Sequence, residues 1–407
     1  MNKKPAAEHV VVVTGDLHLD EHGAWKHRDL VGDSRYAFEQ IVAYCVDEAE
    51  HPGRRVHLVL LGDINNKPDP KPKLVGFLHR QLRRLEDAGC LVRYGLGQHD
   101  GRQDWLSTHP WPSSYHRCSF QLGPWKAYGL NWSPIGQIEE ELRAIPPGTE
   151  VLLAHQVHAE FMGVVATPEM SLAQVPYVKA IFTGDFHRVE QQVIHRTDGS
   201  EIRVFSPGAI AIRKINEPDS HSFFVFRSAD FTPEVVPLKH RPVIRMTLGV
   251  GTHFDPAGAQ GLIAQAQRQA AADGVPEELQ TPILDLVYPA ELEELVARIE
   301  SVVQGQAHVF KRPQLPKQAV EIESAPLEET VAVGDLFDEV AKDDEADEAT
   351  RALGGRLLAA QGAGALLQEE RTSFMAAAER ASWGLAQAAP EGVPPAVEFM
   401  RQTGQWR

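Results

Sequence analysis

Short runs of β-branched and aliphatic residues recur along the first half of the chain, and each is cut off by the same punctuation. Val10 to Val13 lead into Thr14-Gly15-Asp16-Leu17-His18, and Val56 to Leu61 lead into Gly62-Asp63. The stretch from Cys90 leads into Gly97-Gln98-His99-Asp100, Val151 to Ala154 into His155, and Ala180 to Thr183 into Gly184-Asp185-Phe186-His187. A sixth run, Ile202 to Ser206, ends at Pro207-Gly208. Apolar runs bounded in this way read as buried strands. Between the earlier ones, residues 34–48 and 73–88 carry apolar side chains at helical spacing. Strand–helix alternation predicts an α/β core, in which loops past the carboxyl ends of the strands gather into one site.

After Phe226 the pattern changes. RPVIRMTLGV and TPILDLVY read as strands, AGAQGLIAQAQRQAAA and PAELEELVARIESVV as amphipathic helices, and AHVFKR as a closing strand. A first domain over 1–240 is therefore expected to be followed by a small α/β domain over 241–312 and a proline-marked linker over 313–330. The rest, 331–407, reads as helical. Leu336, Phe337 and Val340 share one face there, and Leu353, Leu357 and Leu358 another. Helices this short do not bury such faces by themselves, so a partner is expected to cover them. Residues 361–407, rich in Ala and Gln, carry no assignment.

Composition changes the picture in three places. No apolar run approaches the ~20 residues that span a bilayer, and the start has lysines but no apolar signal core, so a cytoplasmic, membrane-free protein is expected. The cysteines Cys45, Cys90 and Cys118 are three in number and lack metal spacing, which suits a reducing compartment. The net charge of −16 is concentrated: residues 321–350 hold twelve acids against Lys342 and contribute −11, leaving −5 for the other 377 residues. A nearly balanced body can still bind a phosphate backbone.

The candidate chemistry lies at the strand ends. Asp16, His18, Asp63, Gln98, His155, Asp185 and His187 form an oxygen and nitrogen donor set suited to manganese, magnesium, iron or zinc rather than a thiolate site. A central aspartate would bridge two ions, the arrangement used for in-line phosphoester hydrolysis.

In their order and spacing these blocks resemble the calcineurin-like metallophosphoesterases, whose signature runs D-x-H, G-D, G-N-H-[DE], H and G-H-x-H. The resemblance covers residues 9 to 228, and within the superfamily the chain is similar to SbcD-type DNA-repair nuclease subunits, bacterial or phage. It implies a two-sheet α/β metallophosphoesterase core flanked by helices, a small α/β capping domain and C-terminal partner-binding helices. One metal would be held by Asp16, His18, Asp63 and His187, and a second by Asp63, Gln98, His155 and Asp185, with Asp63 bridging. His99 would protonate the leaving 3′ oxygen, and Asp100 would orient its imidazole. Two Mn²⁺ ions are expected, with Mg²⁺ as the alternative. The activity implied is 3′→5′ exonuclease and endonuclease at DNA ends. The implied assembly is a homodimer with an SbcC-like coiled-coil ATPase, contacted through Leu336, Phe337, Leu353 and Leu357. Two positions depart from the signature: Gln98 stands where the family has asparagine, and Asp185 where it has histidine. Both fall on the second metal.

Weaker signals surround these blocks. Lys67, Lys71 and Lys73 in the NKPDPKPK loop, and Arg203, Arg213 and Lys214 around the Pro207-Gly208 turn, are candidate phosphate contacts, with a solvated loop as the competing reading of the lysines. His158 is a candidate neighbour of the site. Trp105, Trp111, Trp125 and Trp132 read mainly as core. VGDLFDE at 333–339 imitates a metal block in letters only. A small-molecule phosphodiesterase or phosphatase, and a scaffold that binds DNA ends without cleaving, stay open as alternatives.

Overall fold

The computed structural model describes residues 7–19, 30–101, 104–159, 170–172, 175–196, 198–215, 217–251 and 254–314. The expectations for 331–407, including Leu336, Phe337, Leu353, Leu357 and the VGDLFDE segment, lie outside the described residues.

Four consecutive valines make β1 (Glu8–Thr14) a strand buried on both faces. Successive side chains point to opposite sides of a strand. Val10 and Val12 accordingly join the core under helices α1 (Asp33–Glu50) and α2 (Pro72–Asp87), while Val11 and Val13 join a second core between two sheets. β1 runs parallel to β2 (Arg54–Leu60), with Glu8 opposite Arg54 and Thr14 opposite Leu60. β3 (Leu91–Tyr94) and β4 (Ser113–Ser114) continue the parallel run. β11 (Ser222–Phe226) and β12 (Pro233–Pro237) close the other edge, giving the order β12-β11-β1-β2-β3-β4.

The second sheet has the order β5-β6-β7-β8-β10-β9. Its strands are β5 (Ser119–Leu122), β6 (Trp125–Gly129), β7 (Val151–His155), β8 (Ala180–Gly184), β9 (Glu190–His195) and β10 (Glu201–Ser206). β6, β7, β8 and β10 are parallel, and the edges β5 and β9 are antiparallel. Helix α3 (Gln137–Arg143) packs on its outer face through Ile138 and Leu142. The chain is thus an α/β protein with two mixed sheets flanked by helices; the parallel strands run to one edge of the first sheet and are central in the second.

The helices follow their sequence pattern. Leu74, Phe77, Leu78, Leu82 and Leu85 form one buried stripe of α2. Pro72 opens that helix where a missing N–H costs nothing. Gly89, at φ 75°, ends it with Cys90 N–H bonded to Leu85 O and Gly89 N–H to Glu86 O. A third, all-parallel sheet is built from β13 (Val243–Thr247), β14 (Ile283–Pro289) and β15 (His308–Gln314). Helices α4 (Pro256–Ala272) and α5 (Glu293–Val302) pack on it. β15 runs two residues into the stretch expected as linker, because Pro313 and Gln314 still pair alongside Tyr288 and Pro289. Proline is tolerated there because β15 is an edge strand. No helix among the described residues is long and apolar enough to cross a membrane.

The inter-sheet core is aromatic. Phe226 stacks on Phe182 at 4.9 Å between centroids and meets Phe205 at 5.2 Å and Trp125 at 5.8 Å. Phe226→Ala is expected to lower stability by about 3–5 kcal/mol. Val235→Ala, on the solvent side of β12, should change it by less than about 0.5 kcal/mol. Urea denaturation of the two variants checks this.

Candidate metal centre

The register of the parallel strands decides which side chains meet. Thr14 is opposite Leu60, so the loops holding Asp16 and Asp63 leave their sheet side by side. The Asp16 N–H donates to Gly62 O at 3.1 Å, and that of His18 to Asp63 O at 2.8 Å. In the second sheet His155 is opposite Gly184, which places His155 beside Asp185. The two halves are joined by the Asp185 N–H, which donates to the Asp16 carboxylate at 3.1 Å. Asp16, His18, Asp63 and Asp185 all adopt positive φ, at 50°, 43°, 48° and 71°. Non-glycine residues reach that region at a cost, and such strain gathers where the surrounding structure imposes it.

Asp63 is the centre of the arrangement. Its Oδ1 accepts the backbone N–H of His99 at 2.9 Å and lies 3.5 Å from His155 Nε2. Its Oδ2 lies 3.6 Å from His18 Nε2. His18 Nε2 is 3.1 Å from His187 Nε2, which is in turn 3.7 Å from Asp16 Oδ1. Three groups of ligand atoms converge within 4.8 Å of one another: Asp16, His18 and His187; His18, Asp63 and His99; Asp16, Asp63 and His155. Asp16, His18, Asp63 and His155 are buried, whereas His187 is half-buried and His99 exposed.

Two tautomers are fixed from behind. His155 Nδ1 lies 2.8 Å from the Leu61 carbonyl oxygen, and His187 Nδ1 lies 2.8 Å from Glu217 Oε1. Both oxygens only accept, so each Nδ1 carries a proton and each Nε2 faces the cluster. Asp63 Oδ2, His155 Nε2 and Gln98 Oε1 are buried without a hydrogen-bond partner. Nitrogens coordinating one ion at about 2.1 Å stand roughly 3.0–3.4 Å apart, which the His18–His187 separation matches.

The electrostatics point the same way. Burial pushes the Asp16 carboxyl up to about 6 against the pull of His155 and His187. Burial also acts upward on Asp63, but the charge of the facing His155, with His18 and the His99 N–H, outweighs it and holds Asp63 below the usual range. His155 rises although burial opposes it, because Asp63 and then Asp16 favour its cationic form. Burial and the nearby Arg213 drive His18 down, which keeps it a neutral ligand. The carboxylates therefore favour positive charge where His155 Nε2 faces Asp63, and a divalent ion supplies it as a second ring proton does. The donor set fits two divalent ions.

No family model matches the chain, and no curated protein does. Among solved structures it is similar to a dimetal phosphatase from Danio rerio, at 12% identity and TM-score 0.36, over 57% of this chain and 96% of that one. It is also similar to a protein described as a 5′-nucleotidase from Staphylococcus aureus, at 13% identity and TM-score 0.32, over 57% of this chain and 53% of that one. These likenesses are slight. The assignment of the site rests on its side chains.

Several expected roles change. Asp100 does not orient His99. Its carboxylate accepts backbone N–H groups of Asn65 at 2.8 Å, Gly97 at 2.9 Å and Ile64 at 3.2 Å, so it fastens two site loops together. Burial still lifts its pKa to about 6 against those three bonds. His99 Nδ1 instead faces Asn66 O at 3.2 Å, and its ring stands edge-on to His18 at 5.0 Å. Arg213 lies at the site, donating to His18 O at 3.3 Å and Asn66 Oδ1 at 2.5 Å, whereas Lys67 and Lys214 are exposed. Arg203 is committed to Asp230 O at 2.6 Å. His158 is fully buried, and burial lowers its pKa to about 3. Trp125 is core, stacked on Phe231 at 4.7 Å. Glu217 was not singled out from sequence; the need of a ligating histidine for an acceptor on its other nitrogen is the signal that finds it.

The two departures from the family signature touch each other. Gln98 Nε2 donates to Asp185 Oδ1 at 2.5 Å, and Asp185 stays outside the three convergent groups. Either reversion alone, Gln98→Asn or Asp185→His, breaks this bond, whereas the double reversion restores the family pair. Each single variant is expected to bind the second ion more weakly than the double variant does. Manganese titration by calorimetry checks the order.

Proposed function

We propose that the chain is a metal-dependent phosphoesterase of the calcineurin-like type that cleaves DNA, as the nuclease subunit of an SbcC–SbcD-like complex. The observation that carries the first part is Asp63, whose two oxygens face His18 on one side and His155 on the other. Two bound divalent ions would neutralise the phosphodiester and activate the attacking water. Asp16, His18 and His187 would hold one of them, His155 and Gln98 the other, with Asp63 between and Asp185 supporting the second set. Manganese is the preferred ion and magnesium the alternative, because the second set is rich in oxygen donors.

His99 is the proton donor to the leaving oxygen. It is exposed beside the cluster, and the Asn66 carbonyl at its Nδ1 leaves Nε2 for the substrate. Arg213, fixed between His18 O and Asn66, supplies a cation at the mouth of the site. Lys67 and Lys214, one residue away from Asn66 and Arg213, extend that charge into solvent, where phosphate backbones are bound chiefly by electrostatics. The DNA substrate, the 3′→5′ exonuclease and endonuclease activities and the homodimeric assembly come from the sequence resemblance.

Linear DNA and p-nitrophenyl phosphodiesters, each with manganese, separate this reading from a small-molecule phosphodiesterase. Asp63→Asn should lose metal and cleavage together. His99→Ala should keep the metal while turnover falls ~10²-fold or more. Full activity of Asp63→Asn with metal bound would end the two-ion assignment, and metal loss in His99→Ala would make that residue a ligand.

The same proposal assigns 331–360 to an ATPase partner, with Leu336, Phe337, Leu353 and Leu357 as the buried anchors. Met1–Pro316 forms a compact unit by itself. Truncation after Pro316 is expected to leave manganese-dependent cleavage of single-stranded DNA in place and to abolish co-elution with an SbcC-like ATPase. Continued co-elution would remove the partner assignment.

A further inference from the structure

The turn between β10 and β11 holds Glu217, the acceptor for the ring N–H of His187, and that turn is gripped from the small C-terminal sheet. Glu217 Oε1 takes the His187 Nδ1–H at 2.8 Å, and its Oε2 takes the backbone N–H groups of Arg213 at 2.5 Å and Lys214 at 2.9 Å. The carboxylate is therefore fixed within its own turn. What places the turn is Arg245 on β13. Its guanidinium donates to the carbonyls of Ile215 and Glu217, the latter at 2.5 Å, and to Asp219 Oδ1 at 2.7 and 2.5 Å.

The guanidinium is anchored in its turn from the far side. Arg245 Nη1 reaches Asp285 Oδ2 at 3.1 Å on the neighbouring strand β14. Asp285 is fully buried and is also held by Arg312 of β15, through bonds of 2.8 and 2.6 Å. Beside this polar chain, Ile212, Ile283, Val243 and Phe310 pack in one apolar cluster, so the turn and the small sheet meet across a filled contact. A planar guanidinium delivers several donors in fixed directions, which an ammonium does not.

We propose that Arg245 is a positioning residue for the metal site. It acts through the 213–219 turn and Glu217 to hold the His187 imidazole with its Nε2 toward Asp16 and His18. The small sheet is then part of the support of that site. The inference rests on the proposed metal-binding reading, and its test separates the two.

Full-length protein is titrated with Mn²⁺ by calorimetry, and the His187 tautomer is read by imidazole ¹⁵N shifts in the metal-free state. Gln40→Ala is the control for loosened packing, since Gln40 ties α1 to Lys239 by bonds of 2.8 and 2.9 Å away from the turn. Glu217→Gln is expected to weaken one of two Mn²⁺ sites ~10–100-fold, the usual effect of removing a ligand's outer partner. Arg245→Ala should weaken the same site about 10-fold and mix the His187 tautomers, with Arg245→Lys in between. Gln40→Ala should do neither. Wild-type Mn²⁺ affinity and a wild-type tautomer in Arg245→Lys and Arg245→Ala would overturn the inference, and so would an equal loss in Gln40→Ala. If the wild-type chain binds no Mn²⁺, the metal-binding reading fails, and the tautomer measurement alone decides the role of Arg245.

Discussion

The imidazole of His155 is the point where the two sheets lock. It leaves the end of β7, crosses to the first sheet and donates to Leu61 O at 2.8 Å. Around it no side chain fits: a Cβ on Gly62 or Gly184 would lie 2.6 or 2.4 Å from His155 Nδ1, and one on Gly97 would lie 2.1 Å from Asp63 Oδ1. Gly184 ends β8, and Gly62 and Gly97 lie in the loops just past β2 and β3. The close approach of the strand ends, the ring that fills the gap and the carboxylate it faces thus form one constraint. The parallel register of each sheet and the aromatic core between them bring the strand ends near enough for that single ring to span them.

Such a centre is costly without counter-charge. Two aspartates and four histidines converge there, and four non-glycine residues hold left-handed backbone. Hydrogen bonds from backbone to carboxylate offset part of this: Asp100 receives three N–H groups and Asp16 one, from Asp185. Buried charge that is only partly paired lowers stability. A cation bound among these residues offsets that repulsion, so its binding free energy adds to folding. The aromatic core between the sheets carries the remaining burden, since it holds the loops in register whether or not an ion is present.

The sequence reading went furthest where one residue type has one physical use. An apolar run ending in Gly-Asp or Asp-x-His announces a buried strand and a polar group at its end, and Asp16, His18, Asp63, His155 and His187 all come together in space. The edge strands were harder to read. β9 alternates half-buried and exposed residues and includes Gln191 and Gln192, a pattern without an apolar run to mark it. Asp100 shows a different limit. The resemblance implied that it orients the His99 ring, but its side chain turns inward to three N–H donors that only the folded loops supply. Glu217 lay in a turn with no periodicity at all, and its role depends on the position of His187, thirty residues earlier in the chain.

The pairing of Gln98 with Asp185 joins the two departures from the signature into one hydrogen-bonded unit. An ionised carboxylate accepts and does not donate, so the amide face turned toward Asp185 is the NH₂ group. The other end, Oε1, is then left buried with no partner, beside the cluster rather than in solvent. An asparagine, one methylene shorter, would not span the same distance, and a histidine at 185 would replace the charged carboxylate acceptor with a ring nitrogen of different reach and direction. The extra methylene and the change from imidazole to carboxylate therefore act as a unit. In the proposed two-ion site this unit would give the second set a harder, more anionic character than the signature with asparagine and histidine, which would favour ions that prefer oxygen donors.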